Sequence, residues 1–174
     1  ANYLDINVDE FSTDVEERCQ LMRWTVATVQ KAVAIPVSID SSNVAILRAG
    51  LAACDKGRSR PMVNSVSLER QEAIAAAAEF GAVVIASAAG EKGLPASLEE
   101  KLANIARLMK QLKAAGFKDG DIHVDPLVFP ISTDGNNGRI FLDSVSAIRK
   151  TYGPDIHIVA GLSNVSFGMP SRKL

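Results

Sequence analysis

The feature that most restricts the fold of this chain is a strict alternation of apolar, strand-like runs with amphipathic helical stretches. Runs of strand composition occur at Tyr3–Val8, Val37–Asp40, Met62–Val66, Ala82–Ser87, Asp121–Asp125 and from Ile156 onward. Between them, apolar residues recur at steps of four and three, as they do on one face of a helix. Val15, Cys19, Met22, Val26, Val29 and Val33 form the first such stripe, and Leu98, Leu102, Ile105, Met109 and Leu112 form the fourth. Val44, Leu47, Leu51 and Cys54 mark the second helix, and Phe141, Val145, Ile148 and Tyr152 the last. Ala82–Ser87 carries no charge, which is expected only of a strand covered on both faces. Strands joined through helices run parallel, and two architectures accommodate them: a doubly wound sheet and a (β/α)8 barrel.

The helix ends are also legible. Thr13-Asp14-Val15-Glu16 and Ser97-Leu98-Glu99-Glu100 have the form of capping boxes, and Ser67 is placed to cap a helix over Glu69–Phe80. Gly81 then supplies a left-handed stop.

The strand endings decide between the two architectures. Val37-Ser-Ile-Asp40, Met62-Val-Asn64 and Ile122-His-Val-Asp125 each finish on a carboxylate or an amide. The first strand carries Asp5, Asn7 and Asp9 toward its end, and the last breaks into Gly161, Ser163, Asn164, Ser166 and Gly168. A doubly wound sheet gathers its site at one switch point, whereas a barrel draws it from the carboxyl ends of many strands. The expectation is therefore a barrel with sequential strand order and helices outside. A full barrel takes about 250 residues, so the 174 present correspond to about six of its eight βα units, in a single partial domain over 1–174. The abrupt start inside a strand, at Ala1-Asn-Tyr-Leu, suggests an excised piece.

Composition removes several classes of function. A net charge of −1 and 5% aromatic residues offer neither the basic footprint nor the stacking platforms of a nucleic-acid binder. No apolar run reaches the ~18 residues of a membrane span, and no signal peptide is visible. Cys19 and Cys54 lack metal-ligand spacing and read as small apolar residues of a reducing, cytoplasmic setting. No Gly-x-Gly-x-x-Gly follows the first strand, and no Walker lysine is present. His123 and His157 are too few and too far apart in the chain for a histidine metal centre. No lysine lies within an apolar strand, which removes the nucleophile of Schiff-base chemistry, and Ser163 and Ser166 lack triad partners.

What remains is Asn7, Asp40, Asn64, Asp125 and Asn164. Singly, each has an alternative reading as a cap or a loop anchor. Together, three amides and two carboxylates without a base or a metal describe recognition of a flat polar heterocycle. A carboxylate accepts two parallel hydrogen bonds from an aminopyrimidinone edge, and an amide pairs a donor with an acceptor.

These residues carry a resemblance. Asp40-Ser-Ser-Asn43, Val63-Asn-Ser-Val66, His123-Val-Asp-Pro-Leu127 and Gly161-Leu-Ser-Asn-Val-Ser-Phe-Gly168 resemble, in order, the motifs of the pterin-binding superfamily. That superfamily holds dihydropteroate synthases and methyltetrahydrofolate–corrinoid protein methyltransferases, and the similarity runs from Tyr3 to Leu174. Dihydropteroate synthases have a Gly-x-Ser-Arg-Lys pattern at the last motif; this chain has Asn164 and Val165 there, as the methyltransferases do.

The resemblance implies transfer of the N5-methyl group of methyltetrahydrofolate to the cobalt of a corrinoid, or cobalamin, carried by a partner protein or domain. It implies that Asp40, Asn64 and Asp125 hold the pterin ring, with Asn7, Gly161 and Ser163 beside them, and that Asn164 faces N5 as the catalytic residue. It further implies a homodimer, and whole domains with more strands and helices than are present here. A dihydropteroate synthase, or a pterin-binding module without catalysis inside a larger corrinoid enzyme, are the competing readings.

Overall fold

The computed structural model describes residues 2–55, 57–170 and 172. Six strands, β1 (Leu4–Asn7), β2 (Val37–Asp40), β3 (Met62–Val66), β4 (Val83–Ser87), β5 (Ile122–Asp125) and β6 (His157–Ile158), alternate with five helices. The helices are α1 (Val15–Ala32), α2 (Val44–Ala53), α3 (Gln71–Glu79), α4 (Leu98–Ala114) and α5 (Asn137–Tyr152). The strands form one sheet in the order β1-β2-β3-β4-β5-β6, with parallel pairing. Sequential order is that of a (β/α)8 barrel and not of a doubly wound sheet, whose order reverses about a crevice. The fold expected from the strand endings is therefore the one observed, with six of the eight units present.

The chain divides into two compact units: 1–66 with 70–85 and 115–117, and 67–69 with 86–114 and 118–174. In the first, Ile6, Ile39 and Val63 of the strands are buried. The α2 helix approaches so closely that a Cβ on Gly50 would lie 2.6 Å from the Ile39 side chain. Only a glycine fits that contact. In the second, Ile105, Leu108, Met109 and Leu112 of α4, Ile122 and Val124 of β5, and Ile148 of α5 are buried. No helix among the described residues is long and apolar enough to cross a membrane.

Several local expectations need correction. Asp14, not Thr13, caps α1: its carboxylate accepts from the Glu16 amide at 2.7 Å and the Glu17 amide at 3.1 Å. A carboxylate reaches two free amides at once and carries the charge that a helix N-terminus favours. Asp14→Ala is expected to lower stability by about 1 kcal/mol, read as the shift in a urea unfolding midpoint at unchanged slope. Ser67 does not cap α3, which begins at Gln71 without a side-chain cap, and Ser67 is itself buried. Ser97 does accept from the Glu100 amide, at 3.1 Å, but Glu100 reaches back to the Ala96 amide instead of closing on Ser97. Gly81 adopts the expected left-handed conformation, φ 62°.

The face that α4 buries is rotated from the expected stripe. Leu98 and Leu102 are only half-buried, while Lys101 and Asn104 are buried beside Ile105, Leu108, Met109 and Leu112. The sixth strand is also shorter than its apolar run. Only His157 and Ile158 pair with β5, and a 3-10 turn over Leu162–Ser166 follows.

Candidate active site

The polar residues of the first three strands fall in one row. Parallel register sets Asn7 opposite Asp40 and Asp40 opposite Asn64; Asn7 and Asp40 close their strands, whereas β3 runs two residues past Asn64 instead of ending on it. The Asn7 amide donates to the Asp40 carboxylate at 3.0 Å. The Asn64 amide reaches past β2 and donates to Asp5 at 3.3 Å. Burial pushes the Asp40 carboxyl above the usual carboxylate range and the charges of Asp5 and Asp9 add to this, while Asn7 and Arg70 oppose it.

Asp9, the other polar residue of the first strand's end, has a structural task. It accepts from the Ser41 hydroxyl at 2.5 Å and from the amide and hydroxyl of Ser42 at 2.7 and 2.9 Å. Arg18 lies 3.9 Å away. Partial burial raises this carboxyl, but the hydrogen bonds from Ser41 and Ser42 together with Arg18 outweigh it and hold Asp9 below its ordinary range. The latch ties the end of β1 to the turn after β2. Arg70 donates to the Ser41 carbonyl of the same turn.

The second unit has polar residues of its own. Asp125, half-buried at the end of β5, accepts from the Leu127 amide at 2.8 Å in a tight turn that puts Leu127 at φ 59°. Its carboxyl is raised by burial, against the lowering pull of the Leu127 amide and of Lys101. Lys101 was not visible as a site residue in the sequence. It is 1% exposed, donates to the Leu127 carbonyl at 2.6 Å and lies over the Phe129 ring at 4.5 Å. Asn104, one turn on, donates to the Ala88 carbonyl at 3.0 Å, next to the end of β4.

Asn164 sits in the 3-10 turn after β6, exposed, and among the described residues its side-chain amide makes no hydrogen bond. Gly161 makes room for it: a Cβ there would lie 3.0 Å from the Asn164 amide nitrogen. Ser163 is engaged otherwise, its hydroxyl and carbonyl accepting from Arg172 at 2.7 and 3.2 Å. Arg172, which the sequence motifs did not single out, also lies 5.3 Å from the Phe167 ring. No hydrogen bond joins Asp125 to Asn164 among the described residues. His123 and His157 stack at 4.5 Å, and burial with the neighbouring imidazole holds His123 down to about 4, so it is neutral at physiological pH. Among the described residues no group of three or more His, Cys, Asp or Glu side chains is arranged to hold a metal ion.

The architecture is that of an α/β protein with a parallel sheet, and in its first unit Asn7, Asp40 and Asn64 share one row. A profile of the family described as pterin binding enzyme matches residues 1–173. The chain belongs to that family. It is 33% identical over 179 positions to a methylcorrinoid:tetrahydrofolate methyltransferase of Eubacterium limosum, covering all of this chain and 64% of that protein. It is 30% identical over 181 positions to a methionine synthase of Mycobacterium tuberculosis, covering 97% of this chain and 15% of that protein. Among solved structures, a dihydropteroate synthase of Xanthomonas albilineans in complex with 7,8-dihydropteroate matches with a TM-score of 0.72 at 22% identity, over 94% of this chain and 58% of the other. A Yersinia pestis dihydropteroate synthase with a pterine-sulfa conjugate matches with a TM-score of 0.69 at 19% identity, over 94% of this chain and 61% of the other. These structures share the fold.

Proposed function

We propose that this chain is the pterin-holding part of a methyltransferase that moves the N5-methyl group of methyltetrahydrofolate to the cobalt of a corrinoid on a partner protein or domain. The observation that carries the reading is the 33% identity, along the whole chain, to a methylcorrinoid:tetrahydrofolate methyltransferase. It is joined by Asn164-Val165 standing where the Arg-Lys pair of the synthase pattern falls. That relative's name describes transfer from corrinoid to folate. The two directions share one transition state, so the same residues serve both.

In this reading Asp40 and Asp125 accept from the pyrimidine N–H and amino groups of the pterin, and Asn64 pairs a donor with an acceptor on the same ring. Asn7 keeps Asp40 in place through its 3.0 Å bond. Both carboxyls are raised by burial before a ligand arrives, so N–H donors from the ring draw them back toward the ionised form. Asn164, whose amide makes no hydrogen bond among the described residues, faces N5 in this reading. When the methyl group leaves, the CH3–N5 bond breaks, a CH3–Co bond forms, and the N5 electron pair stays on nitrogen, which takes up a proton. A carboxamide at N5 stabilises that developing charge. The corrinoid supplies the nucleophilic metal; the chain supplies orientation and electrostatics.

The test combines the protein with methyltetrahydrofolate and cob(I)alamin and follows methylcobalamin by absorbance. Methylcobalamin formation is the expected result. Tight pterin binding without turnover would support the non-catalytic module instead. Condensation of a pterin pyrophosphate with p-aminobenzoate would support the synthase.

A further inference from the structure

Lys101 is in a place that ordinary helix chemistry does not explain. It lies in the first turn of α4, where the helix dipole disfavours a cation, and two glutamates, Glu99 and Glu100, already occupy that turn. Its side chain is buried, which is unfavourable for an ammonium group unless a specific partner offsets the lost hydration. Among the described residues its one hydrogen-bond acceptor is the Leu127 carbonyl, at 2.6 Å, and the Phe129 ring covers it at 4.5 Å. Leu127 is held at φ 59°, a conformation that a branched residue adopts only when its surroundings impose it. The same residue's amide donates to the Asp125 carboxylate at 2.8 Å.

We propose that Lys101 is a positioning residue for Asp125: it pins the Asp125-Pro126-Leu127 turn through the Leu127 carbonyl and keeps the carboxylate ionised with a buried positive charge. The binding arm of this inference rests on the reading of Asp125 as a pterin acceptor; the titration arm does not.

The charges that bear on Asp125 are few. Burial raises it, and the Leu127 amide and Lys101 lower it. In return, burial lowers Lys101 and Asp125 raises it. The other titratable groups nearby, His123 on the same strand and His157 stacked on it from β6, leave His123 neutral down to about 4. Removing the lysine charge therefore raises Asp125 further. The carboxylate is then protonated, and lost as a double acceptor, at a higher pH than in the unaltered protein.

Lys101→Met keeps the length and apolar stem of the side chain and removes the charge. With 13C-labelled aspartate, and the Asp125 signal assigned by its loss in Asp125→Asn, the carboxyl titration is read directly by NMR. The expected result is an upward displacement of about one pH unit or more in Lys101→Met, the scale of a neighbouring opposite charge. Lys101→Arg, which keeps the charge, should return it toward the original value. Methyltetrahydrofolate binding should lose its acid limb at correspondingly higher pH, about tenfold weaker on that limb. An unchanged Asp125 titration in folded Lys101→Met overturns the proposal, as does an equal displacement in the Met and Arg variants, which would assign the effect to shape. Should the Met variant not fold, Lys101→Gln retains a donor without the charge and is read in the same way. If Asp125→Asn binds methyltetrahydrofolate like the unaltered protein, the pterin reading of Asp125 fails, while the titration still decides the role of Lys101.

Discussion

Asn164→Ala is expected to slow methyl transfer by about 10²–10³, the loss seen when one preorganised donor to a developing charge is removed. Methyltetrahydrofolate affinity should fall much less. An interaction that strengthens as the C–N bond breaks enters the rate and scarcely enters the ground-state binding constant. The surroundings of the residue favour this split, because among the described residues its exposed amide makes no hydrogen bond that truncation would break. If Asn164 instead only shaped the 3-10 turn above Gly161, stability and binding would decline together. Single-turnover methyl transfer and equilibrium binding, measured on the same folded variant, separate the two. An affinity loss as large as the rate loss would remove Asn164 from the catalytic role.

Asp125→Asn should weaken methyltetrahydrofolate binding by about 1.5–3 kcal/mol, the range for hydrogen bonds to a charged group. The substitution preserves shape but turns an acceptor edge half into a donor, facing ring N–H groups that are themselves donors. Titration calorimetry near neutral pH measures it, and unchanged affinity would return Asp125 to a purely structural role in the Leu127 turn. The pH dependence of the unaltered protein has a definite sign. Asp125 and Asp40 are both raised in the folded chain, so affinity should hold at neutral pH and decline as acid protonates them, beginning above the ordinary carboxylate range. In Asp125→Asn only the Asp40 share of that decline should persist.

The row of strand-end residues was readable in the sequence because a carboxylate or amide closing an apolar run is a one-dimensional signal. Asp40, Asn64 and Asp125 each show it, and in the first unit the parallel register sets Asp40 and Asn64 side by side. Lys101 was hidden for the opposite reason. A lysine beside two glutamates at a helix start has the appearance of a solvated turn, and its burial is created by a carbonyl on the loop after β5, 26 residues later. Spacing alone did not separate them: Lys101, Ile105, Leu108 and Leu112 keep the same four-three step as the stripe from Leu98 and Leu102, and all four of the former are buried. Asp14 displaced Thr13 as a cap because both residue types suit the position, and only the geometry shows which one reaches two amides. Arg172 lacked any pattern of its own, and its meaning comes from Ser163.

The register that aligns Asn7, Asp40 and Asn64 also divides the chain into stretches that tolerate changes of length and stretches that do not. A residue added between Asp9 and Asp14, or in the loop from Gly57 to Arg60, leaves every strand on its rung. One added inside Val37–Asp40 turns Asp40 to the opposite face of the sheet and offers Ile39 in its stead, because side chains alternate with a period of two. Natural or engineered variants of this protein should therefore carry their insertions in the loops, while the four or five residues of each of these strands keep a fixed count.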